Sequence, residues 1–325
     1  MINCSRIIRK NIIACHKKTE IFNKIDPNLF DVSLRDGIQN ANIENFPTSK
    51  KMEIFRTIYS ENLPKRIEIG SLTSQKILPI MNDSIELFNY AKEYLKIKKS
   101  EMEFTRDLEK YNNNFEGIYL LIPSLSKLHL ALNHNIRNFS FITSVSNKFQ
   151  VSNTKKSIWE TKQDFKKIFD ILNREHSATI FKTKLYISCI NKCPIIGKID
   201  NDFILKEVLY YHGKFEFDEI CLSDTVGELK FDDFEYIIEN CIFFGIPPSK
   251  ISLHLHYKPY NYRNIQNILF YCFKNKINKF DVSMLDTGGC SVTMRPEQRP
   301  QNLSYDMFYV FLDKYINDIL LERQV

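Results

Sequence analysis

Short runs rich in Val, Ile, Leu and aromatic residues alternate along this chain with longer stretches whose apolar positions recur at helical spacing. The runs at 29–34, 66–69, 117–122, 138–142, 183–188, 218–222, 251–255 and 279–283 have the length and β-branched character of strands. The helical period predicts helices over 48–60, 84–99, 125–134, 157–174, 202–211, 231–243, 262–275 and 303–321. Strand starts recur about every 36 residues, the length of a strand–loop–helix unit. Alternation throughout implies a parallel sheet. Eight such units in about 300 residues fit a closed (β/α)8 TIM barrel better than an open doubly wound sheet. No Pro- or Gly-rich linker divides the chain, and the charged stretch 92–114 reads as an extended helix and loop. The expected organisation is one α/β domain over 27–325, preceded by a basic arm at 1–26.

Composition narrows this. Of 325 residues, 43% are hydrophobic, with 25 Phe and 16 Tyr, so a core can be buried and a disordered chain is excluded. No apolar run reaches the roughly 18 residues of a membrane span. The formal charge of +6 is uneven, because residues 1–26 hold six basic and two acidic residues. The body is therefore nearly neutral, which argues against nucleic acid as a partner. The arm is basic enough for a targeting segment but poor in Ala and Ser; the other expectation is a disordered arm. Eight Cys without a paired CxxC pattern are neither a disulfide scaffold nor a zinc site, and a reducing compartment fits them.

Glycine is scarce, nine in all, so its positions are informative. Strand one runs into Arg35, Asp36 and Gly37. Strand two carries Glu68, then Gly70. Strand five runs into Cys189 and Cys193, and strand six into Ser223, Asp224, Thr225 and Gly227. Strand seven ends in His254-Leu-His256, and strand eight runs into Asp286, Gly288, Gly289 and Cys290. Chemistry-bearing residues thus gather just past strand ends, where barrels of this kind keep their active sites. His254 and His256 are two residues apart, on one face of a strand, about 6.6 Å from each other. With Asp36 they form a mixed nitrogen–oxygen set suited to Mg²⁺ or Mn²⁺. Arg35 is suited to polarising a carbonyl or holding a carboxylate. Asp224 reads either as an active-site acid or as a turn and helix cap. Cys290, after two glycines, reads as a reactive thiol on a loop.

Several separated segments together resemble one family. Asp31-Val-Ser-Leu-Arg-Asp-Gly-Ile-Gln39 resembles the opening signature of a superfamily of metal-dependent lyase and synthase barrels, which includes pyruvate carboxyltransferase-like domains. Ile67 to Lys76, Tyr186 to Pro194, Ser223 to Gly227, His254 to His256 and Gly288 to Cys290 continue the match in order. Over residues 27–312 the chain resembles the 3-hydroxy-3-methylglutaryl-CoA lyases. The resemblance implies Asp36, His254, His256 and Asn302 as metal ligands for Mg²⁺ or Mn²⁺. It makes Arg35 the stabiliser of an enolate oxygen, Glu68, Asp224 and His254 polar catalytic residues, and Cys290 the loop thiol in proton transfer. It implies an acyl-CoA thioester substrate, the chemistry of ketone-body and leucine breakdown, a mitochondrial-matrix or cytoplasmic setting, and a homodimer as the candidate assembly.

The chain departs from the family pattern at Asp31 (family Glu), Ser124 (Asn) and Tyr257 (Asp). It also differs around the cysteine loop, at Asp286, Ser291 and Val292. The alternatives are a related acyl-CoA lyase, a Claisen-type synthase of the same superfamily, or a catalytically inactive homologue kept for binding. Cys290 favours a lyase over a synthase.

Overall fold

A computed structural model describes residues 4–105, 115–175, 180–285, 288 and 293–323. Eight strands form the barrel: β1 (Asn28–Asp31), β2 (Arg66–Ser71), β3 (Gly117–Leu121), β4 (Asn138–Ser144), β5 (Lys182–Ser188), β6 (Glu219–Ser223), β7 (Ile251–His254) and β8 (Lys279–Val282). They are hydrogen-bonded in sequence order, and β8 closes on β1 with Asp31 opposite Val282. Every pairing within the barrel is parallel. The strands are buried on both faces, so they read as near-continuous apolar runs rather than alternating ones.

The helices are α1 (Cys4–Ala14), α2 (His16–Ile25), α3 (Thr48–Thr57), α4 (Ser84–Thr105), α5 (Leu125–Asn133) and α6 (Asn147–Thr154). They continue with α7 (Ile158–Glu175), α8 (Asn201–Lys214), α9 (Phe231–Phe243), α10 (Tyr262–Lys274) and α11 (Tyr305–Glu322). In α7 the buried Phe165, Ile168, Phe169 and Leu172 make one stripe at i, i+3, i+4, i+7, which is the face laid on the barrel. Among the described residues no helix is long and apolar enough to cross a membrane.

Three differences from the sequence reading have physical causes. Residues 4–25 are not an open arm. They form α1 and α2, which pack on α11 and bury Ile12, Ile21 and Ile25. Lys18 pairs with Asp313 at 2.7 Å, so part of the basic charge is spent on this docking. α6 is an extra helix after β4, too short and polar to show a period. β1 ends at Asp31 rather than at residue 34, because the chain turns as the amides of Arg35 and Gly37 both reach the Val32 carbonyl. A Cβ on Gly37 would lie 2.6 Å from the Ser33 carbonyl oxygen, so that turn requires glycine.

Candidate metal centre and active-site mouth

Each strand end delivers one part of the site. The turn after β1 presents Asp36, and the end of β7 presents His254. Leu255 then leaves the barrel wall, and His256-Tyr257 pairs antiparallel with Gln301-Asn302, placing His256 opposite Asn302. The Asp36 Oδ2 atom lies 3.9 Å from His254 Nε2 and 3.5 Å from His256 Nε2. One donor atom from each of the three residues falls within 4.8 Å of the others, and all three side chains are buried. Asn302 donates its amide N–H to Asp36 Oδ2 at 3.0 Å.

The outer ring nitrogens are already committed. His254 Nδ1 lies 3.1 Å from Asp281 Oδ2, and His256 Nδ1 lies 2.7 Å from the Asp224 carbonyl oxygen. Both Nε2 atoms therefore face the carboxylate, which is how metal-binding histidines are usually oriented. Two imidazoles and a carboxylate fit a divalent ion with borderline or oxygen preference, and Asn302, whose amide N–H faces the carboxylate here, would present its oxygen to an ion by rotation of the amide. Burial opposes ionisation of Asp36, but Arg35 and the histidines outweigh it and hold its carboxyl well below the usual range. Burial lowers His254. His256 is raised, because its contacts with Asp36 outweigh the same desolvation.

Arg35 ties this centre to a second acid. Its guanidinium meets Asp36 Oδ1 through Nη1 and Glu68 Oε2 through Nε, each at 2.5 Å. The guanidinium also lies 5.0 Å from the Tyr186 ring centre, and the Tyr186 hydroxyl donates to Glu68 Oε2 at 3.1 Å. Glu68 Oε1 is fully buried and has no hydrogen-bond partner among the described residues. Gln39 donates to Asp36 Oδ1 at 2.7 Å.

The Asp224 carboxylate is engaged by the loop after β6. It accepts the backbone amides of Gly227, Glu228 and Leu229 at 3.1, 3.3 and 2.9 Å, so it shapes that loop. The Asp224 main-chain carbonyl lies 2.7 Å from His256 Nδ1 at the centre. Cys290 and Asp286 lie outside the described residues. Gly288 is described, and its carbonyl accepts from Asn40 at 2.8 Å. A Cβ on Gly288 would sit 2.9 Å from the Asn302 amide nitrogen, so Gly288 itself lies close to the centre. Gln39 and Tyr186 sit inside the matched segments but were not singled out by spacing. Asp281 lies in a strand run with no motif of its own.

The structure is thus a (β/α)8 barrel whose C-terminal mouth carries a cluster able to hold a divalent ion. No family model matches the chain. It is 25% identical over 264 residues to the human cytoplasmic 3-hydroxy-3-methylglutaryl-CoA lyase, covering 81% of this chain and 63% of that protein. It is 27% identical over 267 residues to the mitochondrial hydroxymethylglutaryl-CoA lyase of Macaca fascicularis, covering 81% and 71%. It is 23% identical over 264 residues to the 3-hydroxy-3-isohexenylglutaryl-CoA/hydroxymethylglutaryl-CoA lyase of Pseudomonas aeruginosa, covering 81% and 77%. Among solved structures, hydroxymethylglutaryl-CoA lyase from Pseudomonas aeruginosa superposes with a TM-score of 0.69 at 22% identity, over 89% of this chain and 86% of that one. The Acinetobacter baumannii HMG-CoA lyase in complex with coenzyme A and 3-methylmalate gives 0.68 at 20%, over 92% and 91%. By sequence the chain is similar to the hydroxymethylglutaryl-CoA lyases, which are carbon–carbon lyases, and it spans 63% of the length of the human relative.

Proposed function

We propose that this chain is a divalent-metal-dependent lyase that cleaves 3-hydroxy-3-methylglutaryl-CoA to acetyl-CoA and acetoacetate. The convergence of Asp36, His254 and His256 beside the Arg35–Glu68 pair carries this reading. A Mg²⁺ or Mn²⁺ ion held by Asp36, His254, His256 and the Asn302 oxygen would acidify the tertiary hydroxyl of the substrate. Glu68, whose Oε1 has no hydrogen-bond partner among the described residues, is the group that would take that hydroxyl proton, while His254 would be committed to the ion through Nε2. Arg35 is placed to stabilise the enolate oxygen of the departing acetyl-CoA as the carbon–carbon bond breaks. Cys290 is assigned the proton returned to that enolate.

A related acyl-CoA lyase activity is the second reading. A cavity of about 290 Å³ opens beside Arg35, with Ile77, Leu78, Leu121, Pro123 and Ile142 among its walls. That volume, which Ser71, Lys127, Asn153 and Lys156 also line, exceeds what a methyl substituent needs, and the Pseudomonas aeruginosa relative is named for an isohexenyl substrate. Coupled assays for the released keto acid, with Mg²⁺ and Mn²⁺ and with both thioesters, separate the readings. Cleavage of the methyl compound supports the first and preference for the longer one supports the second. Ion binding without cleavage of either would leave a binding homologue.

A further inference from the structure

The bore of a (β/α)8 barrel is ordinarily packed with branched aliphatic side chains. Here its middle is ionic. Lys184 of β5 is wholly buried, with its ammonium on Asp281 Oδ1 of β8 and 3.1 Å from Glu219 Oε1 of β6. Glu219 Oε2 meets Arg66 Nη1 of β2 at 2.5 Å. The Phe30 ring lies between the cations, its centre 3.9 Å from Lys184 Nζ and 5.0 Å from the Arg66 guanidinium. Four buried charges thus alternate in sign across the bore. Well-packed apolar side chains in their place are often as stable or more so, so stability alone does not account for them.

One end of this chain of charges has another contact. Asp281 turns one oxygen to Lys184 and the other to His254 Nδ1, at 3.1 Å. We propose that the Lys184–Asp281 pair positions His254, holding its ring with the proton on Nδ1 and the Nε2 lone pair facing Asp36, while Glu219 and Arg66 fix Lys184 in place. A carboxylate paired to an ammonium has no proton to give, so the ring nitrogen against it is the donor. His256 is oriented by different means, since a main-chain carbonyl accepts from its Nδ1. Lys184 is therefore a positioning residue that acts on the centre through Asp281. The consequence for ion binding rests on the metal reading above, whereas the ring tautomer is a property of the metal-free protein.

The test is a long-range proton–nitrogen correlation on metal-free protein with ¹⁵N-labelled histidine, assigned with His254→Gln, together with Mn²⁺ titration. In the parent, both rings carry the proton on Nδ1. In Asp281→Asn and Lys184→Met, His254 loses its single tautomer while His256 keeps its own, and Mn²⁺ affinity falls about 10–100-fold. Lys184→Arg restores most of the affinity. A parent His254 with its proton on Nε2 overturns the proposal without any variant, as do variants that keep the parent tautomer and affinity. If Lys184→Met does not fold, Asp281→Asn and the parent tautomer decide. A parent that binds no Mn²⁺ defeats the metal reading, while the His254 signal still decides this one.

Discussion

Asp31 shows how much one buried side chain can carry. Its carboxylate accepts from the Ser33 amide, the Ser33 hydroxyl and the Tyr305 hydroxyl, each at 2.9 Å. Burial outweighs these bonds and pushes its pKa up from 3.8 to about 7. An acid raised in the folded state holds its proton after the unfolded chain has released it. Stability from this group therefore falls as pH rises from about 4 to about 7, by up to about 1.4 kcal/mol per unit. Asp31→Asn removes that slope, so the gain of the variant over the parent in urea midpoint should grow between pH 5 and pH 8. A constant difference would show that Asp31 is ionised throughout. Arg35 gives a second expectation at this scale, because it links Asp36 to Glu68. Arg35→Met should lower kcat by about 10²–10³ through loss of one preorganised charge. It should leave Mn²⁺ binding largely in place, and titration beside turnover assays checks both.

Among the elements, α1 and α2 matter most for what the sequence concealed. Their basic residues drew the eye, yet Ile12, Ile21 and Ile25 face inward against the barrel's outer layer. Burying one such side chain is worth about 1.5–3 kcal/mol. Deleting residues 1–26 should therefore lower the melting temperature by several degrees and increase binding of a hydrophobic dye. An unchanged melting curve would return the segment to the status of an arm. The turn after β1 is the other decisive element, since it alone aims Arg35 and Asp36 into the mouth. Gly37→Ala sets a Cβ 2.6 Å from a backbone oxygen and 2.9 Å from Ser283 Oγ. That variant should lose Mn²⁺ affinity together with stability, as read by titration and thermal melting.

At the scale of the molecule, the core and the centre are separable. The apolar layer between strands and helices holds the barrel, while the mouth gathers Arg35, Asp36, Glu68, His254 and His256. Mn²⁺ at about 100 times its Kd should stabilise the fold by about 2.7 kcal/mol. Asp36→Asn should abolish that rise in melting temperature without unfolding the metal-free protein. A rise that survives in the variant would place the ion elsewhere.

The sequence by itself determined the eight strand–helix units, since periodicity and burial are local consequences of side-chain chemistry. Strand ends in a parallel barrel open on one face, and they marked Arg35, Asp36, Glu68, His254 and His256, whereas Asn302 came only from the family resemblance. The sequence left Asp224 open between an acid and a turn former. Three backbone amides within reach of its carboxylate settled its contacts, and those depend on how the loop after β6 closes. Nothing local marked Asp281, Lys184 or Glu219 as partners, for they come from three different strands and meet only in the bore. The docking of α1 and α2 was likewise decided by tertiary structure, because an amphipathic helix has no fixed place until the face that receives it exists. Pattern is written along the chain, but which charge meets which is set by closure of the barrel.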